Sequence, residues 1–301
     1  MRIIESIEEM REYSQQCKRE GKIIGSVATG GYLHDGHMSL VKIAKENSDV
    51  VVVNTIAMSD SLKFSIEWPK NYKKYLIEAE TEYQQHFLEK DLEICKKHKV
   101  DVFFYSSLLD YYSTPIQTIT ISHAINKRLL NSTDIFRPMT GSLISWCLDL
   151  NVKIWNSILP DIIVEGQKDI HQTLYMKFFL NYFNFPIKMI VAPILRDSNG
   201  MAFSSRNRFL TPSERQDAAS IYQTLHEISR WSTYPSVIEI KEHITNRINQ
   251  SNGNVWYREI CCAKTLEELD VIDKETVIVV AARFGEVDIW DNIIITPQGT
   301  K

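Results

Sequence analysis

Two histidines stand three residues apart in the stretch Gly30-Gly31-Tyr32-Leu33-His34-Asp35-Gly36-His37, between an apolar run and a helical pattern. Imidazoles supply N–H donors and, near neutral pH, one mobile proton. Backbone N–H groups at Gly30, Gly31 and Gly36 can approach an anion closely because no Cβ intervenes. A helix beginning near Gly36 or His37 adds its positive end. The stretch therefore reads as a phosphate cradle with His34 and His37 on the same anion, and a turn holding two structural histidines is the alternative. It is neither G-x-G-x-x-G nor G-x-x-x-x-G-K-[ST], which disfavours a dehydrogenase-type dinucleotide site or a P-loop. No His-Glu-x-x-His is present and further ligands are lacking, so no protein-ligated metal is expected.

Two more segments carry phosphate-friendly chemistry. In Glu165-Gly166-Gln167-Lys168-Asp169, Lys168 can neutralise developing phosphate charge, and Asp169 can accept from a ribose hydroxyl or cap a helix. Phe203-Ser204-Ser205-Arg206 combines two hydroxyls with a guanidinium, a set suited to a polyphosphate. Each segment alone is an ordinary helix start or loop. Together they supply three such elements at three places where an α/β sheet binds ligands.

The elements around them have to bring those segments together. Apolar runs at Lys22 to Ala28, Asp49 to Ala57, Val100 to Tyr105, Asp161 to Gly166 and Ile187 to Leu195 alternate with helical patterns at His37 to Ser48, Glu80 to Val100 and Asp169 to Phe183. Continuous β-branched runs between helices predict a doubly wound parallel sheet, the α/β class. The opening segment Met1 to Cys17 reads as amphipathic and acidic, and a helical face over Glu80 to Val100 carries Tyr83, Phe87, Leu88, Leu92 and Cys95. After Leu195 the texture changes. Thr211-Pro212-Ser213-Glu214 is a helix start, Val237 to Asn249 a second helix, and three strand-like runs follow, the last two separated by Gly285 alone. The expected division is a nucleotide-binding domain over 1–195 and a smaller α+β domain over 196–301.

The 301 residues are 44% hydrophobic and 24% charged, and their net charge of −4 gives no electrostatic reason to expect nucleic acid or an anionic membrane as partner. Lys96 to Lys99 lies on a helix of alternating charge and reads as a solvated face. Five cysteines without C-x-x-C spacing point to reduced thiols. With no signal-like start and no apolar run near the ~20 residues of a membrane span, a cytoplasmic protein is expected.

The His-x-Gly-His, Gly-x-Lys-Asp and Ser-Ser-Arg-Asn elements, in this order and spacing, resemble the pantothenate synthetase family. That family belongs to the nucleotidyltransferase superfamily with "HIGH" and "KMSKS"-like signatures. The resemblance extends to the start of the chain, to Leu88 through Phe104 and to Val280 through Ile295. It implies a Rossmann-like fold and an AMP-forming ligase: pantoate is adenylated by ATP, pyrophosphate leaves, and the amine of β-alanine attacks the adenylate. Gly30 to His37 would line the ATP site, with His37 as proton donor and His34 on the phosphates. Gly166, Lys168 and Asp169 would hold adenosine and the α-phosphate, Leu195 the adenine, and Phe203, Ser204, Ser205 and Arg206 the β,γ-phosphates. Gln172 would bind pantoate, Mg2+ would ride on the ATP phosphates, and the enzyme would be a homodimer.

Departures from the family pattern cluster on the acid and amine side. Pro-Thr-Met-Gly becomes Ala28-Thr29-Gly30-Gly31, and the Val-Asn-Pro-x-Gln-Phe segment becomes Ala57 to Phe64. That segment lacks the first pantoate-binding glutamine, leaving Lys63 as the nearest candidate. The Phe-Arg-Gly-Val element has no clear counterpart; Ser145-Trp146 falls there, followed by Asp149. Gln167 replaces a glutamate, and Trp68 to Tyr83 carries extra length. The alternatives are a paralogue adenylating another acid or serving another amine, a nucleotidyltransferase that stops at a phosphate ester, and a non-catalytic nucleotide binder.

Overall fold

Val50 to Val53 offers no polar side to water and so must be covered on both faces. In the computed structural model, which describes residues 1–56, 72–111, 141–264 and 267–297, these valines are buried in a central strand. The described residues group in two compact units. One comprises 1–56, 72–111, 141–166 and 173–192; the other comprises 167–172, 193–264 and 267–297.

The first unit is a six-stranded sheet of β1 (Arg2–Ile4), β2 (Ile24–Thr29), β3 (Val50–Thr55), β4 (Val102–Tyr105), β5 (Ile162–Gly166) and β6 (Lys188–Ala192). The order is β1-β4-β3-β2-β5-β6 and every neighbouring pair is parallel. The expected α/β class is thus the observed one. Chain order reverses at β2, which has β3 on one side and β5 on the other. In such sheets, ligands bind outside the carboxyl ends at this point.

Helices α1 (Ile7–Arg19), α2 (Asp35–Asn47), α3 (Tyr72–His86), α4 (Leu88–Lys97), the short α5 (Leu108–Tyr111), α6 (Gly141–Ile158) and α7 (Ile170–Tyr182) accompany these strands in the chain. Apolar side chains of α2, α3 and α4 (Met38, Val41, Ala44, Tyr83, Cys95) form one core with Val27, Val51, Val53 and Phe103.

The chain's first strand, Arg2–Ile4, pairs with β4 at the sheet edge. Only Ile4 of its side chains is buried, which leaves no period to read. The helical face over Glu80 to Val100 spans two helices, broken at Phe87, whose φ of −131° lies outside the helical range. Helix α2 begins at Asp35, two residues before His37, because His34 caps it.

The second unit has an antiparallel sheet, β7 (Asn254–Cys262), β8 (Thr276–Phe284) and β9 (Val287–Ile295), in that order. Helices α8 (Pro212–Ser229) and α9 (Val237–Asn249) share a core with it through Ile221, Leu225, Ile240, Ile244, Ile278 and Phe284. The Thr211 cap forms as its sequence implies, with Glu214 completing a capping box. The β8–β9 hairpin turns on Gly285 and Glu286 rather than on Gly285 alone.

Candidate active site

In the first unit, β2 ends at Thr29 and the chain enters Gly30-Gly31-Tyr32-Leu33 before α2. Gly31 takes φ +79°, and a Cβ there would lie 2.5 Å from the Tyr83 ring, so both backbone and space demand glycine. Tyr32 follows at φ +57° and packs edge-on against Phe87 at 4.3 Å between centroids.

The two imidazoles close the helix start on themselves. His34 Nδ1 accepts the Gly36 N–H at 3.1 Å, and His37 Nδ1 accepts the His34 N–H at 3.4 Å. Their rings stack with centroids 4.0 Å apart. An Nδ1 that accepts carries no proton, so these bonds assign the Nε2–H tautomer to both neutral rings. The structure thus brings His34 and His37 together, and the cap is a role that their spacing alone did not reveal. The end of β5 abuts the same helix, with Leu40 3.9 Å from where a Gly166 Cβ would stand.

This loop is held from α4. Asp91, 1% exposed, accepts the Leu33 N–H through Oδ1 at 2.8 Å and the Tyr83 hydroxyl through Oδ2 at 2.7 Å. Burial pushes its carboxyl above the ordinary range, and the bonds from Tyr83, Leu33 and Tyr32 oppose that push. The sequence did not single this residue out, although Asp91 stands four residues from both Phe87 and Cys95, on the apolar face of α4. The pairing of Asp91 with Tyr83 eight positions earlier is visible only in three dimensions.

In the second unit, Gln167–Asp169 forms a single 3-10 turn ahead of α7. Lys168 is mostly buried, at 21% side-chain exposure, and its Nζ lies 3.4 Å from Asp169 Oδ1. Both backbone carbonyls of the turn's first two residues accept from Asn292 on β9, each at 2.9 Å. Gln167 Nε2 returns a bond to Asn292 Oδ1 at 3.2 Å.

The chain from Leu195 to Arg206 belongs to the same unit. Arg196 pairs with Ala202 as an isolated bridge, Gly200 turns at φ +89°, and Phe203 N–H donates to the Leu195 carbonyl at 3.1 Å. Arg196 grips the buried Asp291 with both terminal nitrogens, at 2.5 and 3.0 Å. Ser204 caps the 3-10 turn Ser205–Phe209 by accepting the Arg206 N–H. Arg206 Nη1 reaches the Asp288 carbonyl at 3.5 Å. Leu195 is exposed.

Of the candidates on the acid side, Gln172 lies in the first turn of α7, partly buried. Lys63 and Arg137 lie outside the described residues, as do Ala57 to Phe64. Asp149 is buried in α6 and pairs with Lys153 at 3.0 Å. Among the described residues no three His, Cys, Asp or Glu side chains group as a metal site, and no helix is long and apolar enough to cross a membrane.

A family model described as pantoate-beta-alanine ligase matches residues 2–294. The chain is 32% identical over 298 residues to the pantothenate synthetase of Thermotoga neapolitana, covering 98% of this chain and all of that one. The crystal structure of pantothenate synthetase from Thermus thermophilus shares the fold with a TM-score of 0.80, covering 99% of this chain and all of that one, at 23% identity. Pantoate-beta-alanine ligase from Francisella tularensis, solved in complex with beta-gamma ATP and β-alanine, superposes with a TM-score of 0.72 at 26% identity. That match covers 98% of this chain and 97% of the other.

Proposed function

Because the chain belongs to the pantoate–β-alanine ligase family, we propose that it condenses pantoate with β-alanine at the expense of ATP, forming AMP and pyrophosphate. The pantoate carboxylate oxygen attacks the α-phosphorus of ATP and pyrophosphate leaves. The β-alanine nitrogen then attacks the acyl carbon, AMP leaves with the bonding electrons, and the amine releases a proton.

The observation that carries this reading is the arrangement at the start of α2: two stacked imidazoles with both Nδ1 atoms engaged, at a helix N-terminus outside a switch-point strand. Negative charge spreads over phosphate oxygens in the transition state, and fixed donors that need no reorganisation stabilise it most. In this reading His37 and His34 supply Nε2–H groups, and Gly30, Gly31 and Gly166 let the nucleotide approach the backbone. Lys168 supplies the cation, Asp169 takes the ribose, Leu195 the adenine, and Phe203 to Arg206 the terminal phosphates. Gln172 and Lys63 serve the acid, within a division into a nucleotide-binding domain over 1–195 and a smaller one over 196–301. Mg2+ neutralises the phosphates when bound, and the donor set around them, rich in N–H and cations, fits a metal held by phosphate and water.

A second reading keeps the chemistry and changes the acid. It is favoured by Ala28 and Gly30 where the family has proline and methionine, and by the missing glutamine before Phe64. Purified enzyme with ATP and Mg2+, offered pantoate and then β-alanine, separates the two. Pyrophosphate on adding pantoate and pantothenate on adding the amine support the first reading, while silence with pantoate and turnover of another hydroxy acid support the second.

The homodimer belongs to the same proposal. Edge strand β6 exposes Val191, and Phe178, Tyr182 and Phe183 of α7 and its end are exposed nearby in sequence. These residues suit a second copy, and light scattering on the eluting protein would show a monomer mass if they do not. Cys17, Cys95, Cys261 and Cys262 are buried cysteines outside any disulfide, which suits the reducing cytosol.

A further inference from the structure

Asn292 lies in the middle of β9, 1% exposed, where the strand reads Ile-Trp-Asp-Asn-Ile-Ile. An amide there is costly unless each polar atom finds a partner. All of them point at one target. Nδ2 donates to the carbonyls of Gln167 and Lys168, and Oδ1 accepts from Gln167 Nε2. Two carbonyl oxygens face Nδ2, which fixes the orientation of the amide as well as its place. The neighbouring Asp291 anchors Arg196, and the Asn292 N–H in turn donates to Asp291 Oδ1 at 2.8 Å.

We propose that Asn292 is a positioning residue for Lys168: it fixes the 3-10 turn on both sides of the lysine's Cα and thereby sets where the ammonium group stands during adenylation. The inference rests on the role given to Lys168 above. A single 3-10 turn has too few internal hydrogen bonds to hold a lysine rigidly, since its carbonyls fall short of a full helical ladder. The two external bonds from Asn292 make up that deficit. A buried amide also does this at any pH at which the protein folds, as it carries no titratable proton.

Asn292→Asp is the test, because it keeps the volume and the acceptor for Gln167 while replacing the donor to both carbonyls by an oxygen. Adenylation is read as pyrophosphate released with pantoate and ATP. A misplacement on the order of 1 Å costs about 100-fold in rate, so kcat is expected to fall about 30- to 100-fold with KM for ATP within about threefold. In the Lys168→Ala background the same substitution should cost less than about twofold, because a residue acting through the lysine has nothing left to position. A kcat within about twofold of the parent, or losses that multiply across the two sites, overturns the proposal. Gln167→Met covers the case in which Asn292→Asp fails to fold. It removes one of the three bonds and is expected to lower kcat about 3- to 10-fold, again without multiplying. Full activity in Lys168→Ala would overturn the role of the lysine itself, and the positioning role with it. That failure is distinct from one confined to Asn292.

Discussion

The histidine loop and the lysine turn are held by opposite kinds of anchor. Asp91 holds the first through a buried carboxylate whose partners are the Leu33 N–H and the Tyr83 hydroxyl. Asn292 holds the second through a neutral amide. A carboxylate accepts strongly but costs desolvation, and its occupancy by protons depends on pH. An amide gives and accepts more weakly and does not titrate. The histidine loop should therefore be the part whose geometry responds to pH and to small losses in its support.

The largest expected effect comes from removing the first anchor outright. Asp91→Ala leaves a buried N–H and a buried hydroxyl without their partner, and should lower unfolding free energy by about 3 kcal/mol in urea titrations. A loss under about 1 kcal/mol would mean that water replaces the carboxylate and that the loop is not held from α4. Gly31→Ala comes next, at about 2 kcal/mol, because it combines a left-handed backbone with a Cβ against the Tyr83 ring. Tyr83→Phe removes one bond from Asp91 and should cost about 1.5 kcal/mol. Equal stability in that variant would leave the backbone bonds as the whole of the anchor.

The gentlest test is a pH series comparing the parent with Asp91→Asn. Burial raises the Asp91 carboxyl, so the folded state holds its proton more tightly than the unfolded chain does. That contribution is complete below the unfolded value of about 3.9 and is lost as pH rises through the raised folded value. The asparagine variant lacks this loss, so its stability relative to the parent should climb over the same window. A flat difference would break the contrast between the two anchors. Asn292→Gln should show no such slope.

The sheet was legible because its strands are apolar on both faces. Val50 to Val53 and Val102 to Tyr105 could only be interior. Arg2–Ile4 was not legible, since a three-residue edge strand with one buried side chain has no periodicity. The candidate residues could be singled out because glycine- and serine-rich turns that also carry histidine, lysine or arginine suit few ligands besides an anion. Their anchors were not. Asp91 sits on the apolar face of α4 between Phe87 and Cys95, but its partners Leu33 and Tyr83 lie too far along the chain to be read from that spacing. Asn292 did leave a signal, a polar pair in the middle of an apolar strand, which asks for a buried partner.

Among the described residues, three other α-helices begin with hydroxyl caps, at Ser6, Thr211 and Ser236. The start of α2 does the same work with two imidazoles. The fold would accept a cheaper spelling there: His34→Ser should leave the thermal midpoint within about 2 °C, since one good cap replaces another. A fall of more than about 6 °C would show that the stacked rings carry the helix themselves. If the midpoint holds, a lineage could shed the chemistry of this helix start while inheriting its architecture intact. Stability would then be silent on whether a relative is still an enzyme, and the identity of two side chains would be the record of it.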